Sequence, residues 1–241
     1  IVSGTASPST VQTVKTDAAG DAILNYTSTV AGNVVVKASL GGIALSGIPQ
    51  TITFVADAPN TGVSGTYIIA VKALANADGA DANIVEAHIV DAQGNPVKNQ
   101  EVIFTLAGGA TTSGTQSAAT NSSGIATLYI VSTEAGWIEI TATVNGTEIV
   151  NGKPCKVRFV EGAPDTGNDK TRLEVVTDNA PADDITTNSV KAHIADAYDN
   201  PVPNQTVVFT IASGDASPGT FTAVTDANGD AVFEFHSGKG G

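Results

Sequence analysis

Methionine is absent from this sequence, and cysteine and tryptophan occur once each among its 241 residues. A single cysteine excludes a disulfide within the chain, so the fold must rest on packing and hydrogen bonding. Aromatic residues make up only 5% of the sequence, whereas sugar-binding platforms usually present several coplanar rings. This shortage argues against an accessory carbohydrate-binding module of a secreted enzyme, which we retain as an alternative.

Basic residues are also scarce, since 11 lysines and arginines stand against 24 aspartates and glutamates, for a net charge of −13. Nucleic acid is therefore not expected as a partner, because phosphate binding requires clustered positive charge. The sequence contains no apolar run of the roughly 18 residues that a membrane-spanning helix needs. We expect that this segment is not embedded in a membrane.

The sequence does contain an internal repeat. The stretch VEAHIVDAQGNPVKNQEVIFTL at 85–106 recurs at 190–211 with an offset of 105 residues, and 14 of 22 positions are identical. This period is too long for a solenoid repeat of about 20–50 residues and matches a β-sandwich domain of about 100 residues. The apolar residues are mostly valine, alanine and isoleucine, with 25 glycines and 10 prolines, a mixture that favours strands and turns.

Apolar residues alternate along the repeated stretches, which predicts half-buried strands. We interpret 85–106 as a hairpin-like pair of strands around a turn in which Gly94, replaced by Asp199 in the other copy, has a positive φ. The segment 16–40 matches 120–144, and both predict strand, turn and strand. The residues predicted to face inward are Val85, Ala87, Ile89, Val102, Phe104 and Leu106, then Ala22, Leu24, Tyr26, Val34, Val36, Ala38 and Leu40, and Ala126, Leu128, Ile130, Ile138, Ile140, Ala142 and Val144.

Alignment of the copies predicts three domains, called here the first, second and third units. They are a partial domain over 1–58 (the C-terminal half of a repeat), a complete domain over 59–163, and a domain over 164–241 truncated at its C-terminal end. Each junction has about five residues with one proline, which predicts a short, stiff joint rather than a flexible tether. We expect a free sheet edge in the third unit and native domain ends that differ from the ends of this sequence.

Three histidines and two acidic loops are the groups that could form a metal site. His88 and His193 occupy equivalent strand positions, so we expect both, like His236, to be outward-facing scaffold residues rather than metal ligands or pH sensors. The acidic loops lack the spaced pattern of aspartates that calcium-binding loops use to supply oxygen ligands. The prediction is therefore no metal and no other cofactor. The candidates for an alternative calcium site are Asp78, Asp81, Asp178, Asp183 and Asp184.

Binding specificity is expected where the copies differ. Trp137, whose counterpart is Asn33, either alternates outward or caps the end of the sandwich, and Tyr198 stands where the other copy has Gln93. We take Trp137 and Tyr198 as the binding candidates. Cys155 is interpreted as a tolerated small residue, with a dimerising thiol as the alternative. No Ser-His-Asp or Cys-His arrangement and no phosphate-binding loop is indicated, so the sequence predicts no enzyme and no catalytic residues.

The motifs TDAxGDA and DAxxNPVxNQxVxFTI, with FV before a proline-containing junction, resemble the bacterial immunoglobulin-like domain, group 1, of intimin/invasin adhesins. The resemblance extends over essentially the whole chain. It implies an all-β chain of tandem immunoglobulin-like β-sandwich domains arranged as an extended rod. It also implies a location on the extracellular side of the outer membrane, a parent protein anchored there, and a host receptor or extracellular matrix protein as partner. A passive structural spacer is the alternative.

Overall fold

Every regular element in the described part of the chain is a β-strand. The computed structural model describes residues 3–47, 49–109 and 114–239, and these ranges contain eighteen strands and no helix. The all-β class is thereby confirmed. Within the same ranges, no helix has the length and apolar character needed to cross a membrane.

The first unit contains four short strands, namely β1 (Gly32–Val36), β2 (Ser39–Leu40), β3 (Ile43–Ala44) and β4 (Gln50–Phe54). β1 pairs antiparallel with β4, and β2 with β3. Val34 is buried as predicted, Val36 is half-buried, and Leu40 is 77% exposed. The inward orientation predicted for Ala38 and Leu40 is therefore wrong.

The strand predicted over residues 22–26 does not form. Ala22 is exposed, Leu24 and Tyr26 are half-buried, and the segment contributes only an isolated bridge between Ser7 and Thr27. Its counterpart in the second unit is a strand because another strand pairs with it along its whole length. The described part of the first unit has no such partner, and an unpaired strand leaves its main-chain groups without ladder bonds.

The second unit is a sandwich of two sheets. Its nine strands are β5 (Tyr67–Lys72), β6 (Leu74–Asn76), β7 (Asn83–His88), β8 (Glu101–Gly108), β9 (Gly114–Ala119), β10 (Ile125–Ile130), β11 (Gly136–Val144), β12 (Thr147–Glu148) and β13 (Cys155–Val160). One sheet has the order β10-β7-β5, and the other has β6-β13-β11-β8-β9 with β12 beside β11. The pairings are antiparallel except for β13 with β6, which is parallel.

The core of the second unit lies between the two sheets. Every residue predicted to face inward there is buried, including Val85, Phe104, Leu128 and Ile140. The period-two pattern therefore identified the buried face of four strands correctly. Phe104 and Phe159 are fully buried and fill the space between smaller β-branched side chains.

The predicted hairpin over 85–106 is wrong, because β7 and β8 belong to opposite sheets. β7 pairs with β5 and β10, whereas β8 pairs with β9 and β11. Alternation shows which face of a strand is buried but not which strand lies beside it, so both arrangements fit the same pattern. The turn itself has the predicted geometry, with φ of 86° at Gly94 and 69° at Asp199.

The third unit repeats part of this arrangement with β14 (Arg172–Thr177), β15 (Asn188–His193), β16 (Thr206–Thr210), β17 (Thr220–Val224) and β18 (Asp230–Phe235). Its sheets are β14-β15-β18 and β16-β17. Among the described residues β16 has a partner on one edge only, as predicted. A groove of about 610 Å³, lined by Val190, Phe209 and Phe233 among others, opens between the sheets.

Candidate functional site

The two joints between units share one local structure. At each joint the turn that follows β7 or its equivalent β15, over 91–95 or 196–200, meets the end of the upstream unit. The aspartate that begins the turn accepts two main-chain hydrogen bonds through Oδ1. The donors are the N–H groups two and four residues later, at 2.9 and 2.9 Å from Asp91 and at 2.8 and 2.9 Å from Asp196. These bonds define an Asx-type turn.

At the first joint, side chains of the second unit reach main-chain atoms of the first. Asp91 Oδ2 accepts from the Asp57 N–H at 3.0 Å and from Asn95 Nδ2 at 2.8 Å. Both polar atoms of the Asn95 side-chain amide bond to the first unit. Oδ1 accepts from the Ala31 N–H at 2.8 Å, and Nδ2 donates to the Thr29 carbonyl at 3.0 Å. One aspartate and one asparagine thus make three bonds across the joint.

The second joint repeats these contacts atom for atom. Asp196 Oδ2 accepts from the Gly162 N–H at 2.8 Å and from Asn200 Nδ2 at 2.9 Å. Asn200 Oδ1 accepts from the Ala135 N–H at 2.7 Å, and its Nδ2 donates to the Thr133 carbonyl at 2.9 Å. The arrangement is therefore a property of the repeat and not of one joint.

Both carboxylates at the joints are buried, since Asp91 and Asp196 are each 1% exposed. Burial raises the pKa of each carboxyl, but the opposing hydrogen bonds outweigh it. For Asp91 these come chiefly from Asn95 and the Asp57 N–H, and for Asp196 from the Gly162 N–H and Asn200, and both pKa values lie below the ordinary range. Each carboxylate therefore stays ionised in a site that donors from both units complete.

The junction segments are also fixed to the downstream unit through the main chain. The Asn60 N–H donates to the Val90 carbonyl at 2.9 Å, and the Asp165 N–H donates to the Ala195 carbonyl at 2.9 Å. Asn168 Nδ2 adds a bond to the Asp196 carbonyl at 2.6 Å. The short linkers thus continue the hydrogen bonding of the units instead of crossing solvent freely.

The two binding candidates flank the second joint. Trp137, two residues after Ala135, is 58% exposed, and the Arg158 guanidinium carbon lies 6.0 Å from its ring centroid. Tyr198, two residues before Asn200, is 48% exposed. Outward alternation is thus the arrangement found for Trp137. Both residues thus stand two positions along the chain from a residue that is bonded across the second joint. At the first joint, Asn33 replaces Trp137 and Gln93 replaces Tyr198.

The histidines lie on outer faces and are half-buried. The His88 ring stacks on Tyr67 with centroids 4.4 Å apart, and its Nε2 lies 3.1 Å from Glu86 Oε2. His193 Nδ1 lies 2.7 Å from Asp230 Oδ1, and His236 Nδ1 lies 2.8 Å from an Asp184 oxygen. Each ring is therefore engaged by a neighbouring carboxylate.

The calcium candidates lie in two separate loops and accept bonds from protein donors. Asp81 pairs with Lys72, Asp78 Oδ1 accepts the Asp81 N–H at 2.7 Å, and Asp183 Oδ1 accepts the Thr186 N–H at 2.7 Å. Asp178 accepts the next N–H, while Asp184 faces a histidine. In the part of the chain that the structure describes, no cluster of three or more metal-ligating side chains is found.

Cys155 begins β13 and is 2% exposed in the core of the second unit. Desolvation raises the pKa of its thiol to about 11. The thiolate is the reactive form, so this cysteine is protected from oxidation and unsuited to act as a nucleophile at neutral pH. Its position favours a packing role over dimerisation.

Sequence reasoning missed the residues that build the joints. Asp91 and Asp196, with Asn95 and Asn200, lie in the turn around Gly94 or Asp199, and no role beyond that turn was predicted for them. A signal was present, because the aspartate and the asparagine four residues later are identical in both copies while the residues two and three places after the aspartate differ. The geometry of the turn explains why the aspartate is repeated but not why the asparagine is, so the repeated asparagine pointed to a further role.

Comparison with known proteins agrees with this architecture. The profile of a family described as bacterial Ig-like domain (group 1) matches residues 67–160 and 170–241. The inverse autotransporter adhesin YeeJ of Escherichia coli (strain K12) is 29% identical over 231 residues, which is 92% of this chain and 9% of YeeJ. The chain thus spans about a tenth of that relative's length.

Solved structures of two proteins share the fold. InvD of Yersinia pseudotuberculosis superposes with a TM-score of 0.61 at 19% identity, over 98% of this chain and 71% of InvD. Invasin, described as a bacterial integrin-binding protein, superposes with a TM-score of 0.51 at 21% identity, over 91% of this chain and 45% of invasin. The tandem immunoglobulin-like arrangement predicted from the sequence is confirmed.

Proposed function

Because the chain belongs to the family of bacterial Ig-like domains (group 1), we propose that it is an extracellular segment of a bacterial surface adhesin. In this proposal the segment projects a binding region from the cell and contributes to attachment to host cells or extracellular matrix. It performs no catalysis. The parent protein is anchored in the outer membrane with this segment outside, so antibodies to the segment should label intact cells.

The duplicated joint is the observation that carries the proposal. Two independent joints use the same bonds, which supports units held in a fixed succession. Strands rise about 3.3 Å per residue, so three such units in line would extend on the order of 100 Å. That length corresponds to a radius of gyration of roughly 30 Å, whereas a compact globule of this size would have about 18 Å. Solution scattering distinguishes the two, and a value near the compact one would refute the rod.

A protein partner fits the exposed surface better than a sugar. Trp137 and Tyr198 are exposed aromatics that each stand two residues from a residue bonded across the second joint, and single aromatic anchors are typical of protein interfaces. The net charge of −13 favours a partner surface with basic groups. The description of invasin as an integrin-binding protein supports a host cell-surface receptor as the kind of partner.

Adhesion of protein-coated beads tests the attachment function. Beads carrying the 241-residue chain should bind host epithelial cells or immobilised matrix proteins better than beads carrying an unrelated acidic protein. The combined change Trp137→Ala and Tyr198→Ala should reduce binding several-fold. The matched control is Asn33→Ala with Gln93→Ala, which alters the same positions at the first joint and should leave binding unchanged.

Two outcomes would alter the proposal. If wild-type beads bind no better than the control beads, the segment is a passive spacer and only the projecting role survives. If specific binding to a glycan array appears instead, the segment is a carbohydrate-binding module and the proposed class of partner is wrong.

A further inference from the structure

We propose that the aspartate–asparagine pair at each joint is an interdomain latch that recognises only main-chain atoms of the preceding unit. The latches are Asp91 with Asn95 and Asp196 with Asn200. The turn of each unit would then form a docking surface for the unit that precedes it. Any preceding unit of this fold could bind there, because its side chains would not matter. The inference deepens the proposed function, because a projecting segment needs joints of fixed orientation.

Every hydrogen-bond partner that a latch has across the joint is a main-chain atom. The aspartate binds the N–H of Asp57 or Gly162, and the asparagine binds the N–H of an alanine and the carbonyl of a threonine two residues earlier. Of the three receiving positions, the one bonded to the aspartate differs, since Asp57 in one joint corresponds to Gly162 in the other, whereas the bonded threonine and alanine are the same in both joints. Val30 and Glu134, which lie between the bonded threonine and alanine, differ as well.

A third turn in the chain shows which bonds the turn alone requires. Asp226 Oδ1 accepts from the N–H groups of Asn228 at 2.8 Å and Asp230 at 3.0 Å, the same pattern that Asp196 Oδ1 makes. Asp226 is exposed, the residue four places later is not asparagine, and its Oδ2 contacts only Asn228 Nδ2, at 3.5 Å. The second carboxylate oxygen and the asparagine amide are therefore not needed for the turn.

The latch fixes orientation because its bonds act at separate points. At the second joint the bonded groups lie at Gly162 on the junction and at Thr133 and Ala135 on the loop before β11. A rotation about one bond breaks the others. A rotation that keeps the joint closed would leave the ionised Asp196 and Asn200 short of partners in a buried site, which costs more than loss of an exposed hydrogen bond.

Distances between spin labels in the full 241-residue chain test the latch. Labels are placed at Thr105→Cys on β8 and Thr210→Cys on β16, which are exposed and equivalent positions in the second and third units. The background carries Cys155→Ala so that no third thiol is present. The parent should give one narrow distance peak, and Asp196→Ala or Asn200→Ala should replace it with a broad distribution.

The control variant is Asp226→Ala, which removes the same local turn bonds without any contact across a joint and should keep the narrow peak. Asp196→Asn retains the size of the side chain and separates loss of charge from loss of packing. Far-UV circular dichroism and Trp137 fluorescence verify that each variant is folded. If the distributions of Asn200→Ala and Asp226→Ala are equally narrow, the latch is refuted.

Recognition of the main chain alone has its own test. A Cβ added at Gly162 would lie 3.5 Å from Asp196 Oδ2, an ordinary contact, so Gly162→Ala should keep the narrow peak, and so should Glu134→Ala. If either change broadens the distance distribution, the latch also recognises side chains of the preceding unit, and the proposal of main-chain recognition is wrong. These measurements involve no host molecule, so failure of the latch and failure of bead adhesion are observed separately.

Discussion

The equivalent phenylalanines Phe104 and Phe209 allow the independence of the second and third units to be tested within one chain. Phe104 is fully buried in a core of 21 buried apolar residues, whereas Phe209 is 6% exposed in a core of four and lines the open groove. Substitution by alanine removes the same side chain from a closed core in one unit and from an open one in the other. We expect different losses of stability, each confined to its own unit.

The magnitudes follow from burial. Phe104→Ala leaves a cavity between two sheets and should lower the free energy of unfolding of the second unit by about 3–5 kcal/mol. Phe209→Ala enlarges a groove that is already open, so mainly the transfer term of about 1.5–3 kcal/mol is lost, from the third unit. At a slope of about 2 kcal/mol per molar urea, the first change moves the midpoint of the second unit by roughly 2 M.

Trp137 makes the assay specific to one unit. It is the only tryptophan in the sequence and lies on β11 of the second unit, so its fluorescence follows that unit, while far-UV circular dichroism follows all strands. Phe104→Ala should move the fluorescence midpoint and Phe209→Ala should not. An equal shift of the fluorescence midpoint by both variants would refute independent cores and require the two units to unfold together.

Three further predictions concern single positions. A Cβ at Gly152 would lie 1.9 Å from the Ile68 carbonyl oxygen, so Gly152→Ala should lower the urea midpoint of the second unit well beyond Gly146→Ala. A Cβ added at Gly146 would meet no neighbouring atom. Gly146→Ala should therefore cost only the strain of placing alanine in a left-handed backbone conformation, about 1–2 kcal/mol. Asp196 has a lowered folded-state pKa, so its contribution is complete above its unfolded-state pKa of about 3.9 and is lost as pH falls through the lower folded value. The stability difference between wild type and Asp196→Ala, from urea titrations, should stay constant from about pH 7 to 5 and shrink below about pH 4; a constant difference down to pH 2 would contradict the assignment. The Cys155 thiol should react with a thiol reagent only after denaturant unfolds the second unit, and rapid reaction in the native protein would contradict its burial.

Sequence alternation predicted the core of the second unit well because it directly reports which face of a strand is buried. Val85, Phe104 and Ile140 lie between the sheets as expected, and Trp137 lies on the outer face as its parity indicates. These predictions required no knowledge of neighbouring strands. They depend only on the apolar side chain being removed from water.

Predictions that required a neighbour were less successful. Residues 22–26 have the same pattern as β10 but form no strand, because a strand also needs a partner for its main-chain groups. The stretch 85–106 was interpreted as a hairpin, although its two strands belong to opposite sheets and only the turn connects them. Pairing is decided by the whole fold, and one strand's sequence does not encode it. The joint residues were missed for a related reason, since a local turn already accounted for Asp91 and Asp196.

The joint turns separate the residues that hold the units from those that vary between copies. Tyr198 donates its N–H to Asp196 Oδ1, and Gln93 does the same to Asp91 at the first joint. The bond uses the main chain, while the Tyr198 side chain is 48% exposed. Any residue other than proline supplies this N–H, so the side chain can change without altering the turn or the joint. Variation at this position can therefore alter the exposed surface beside each joint while the bonds between the units stay the same.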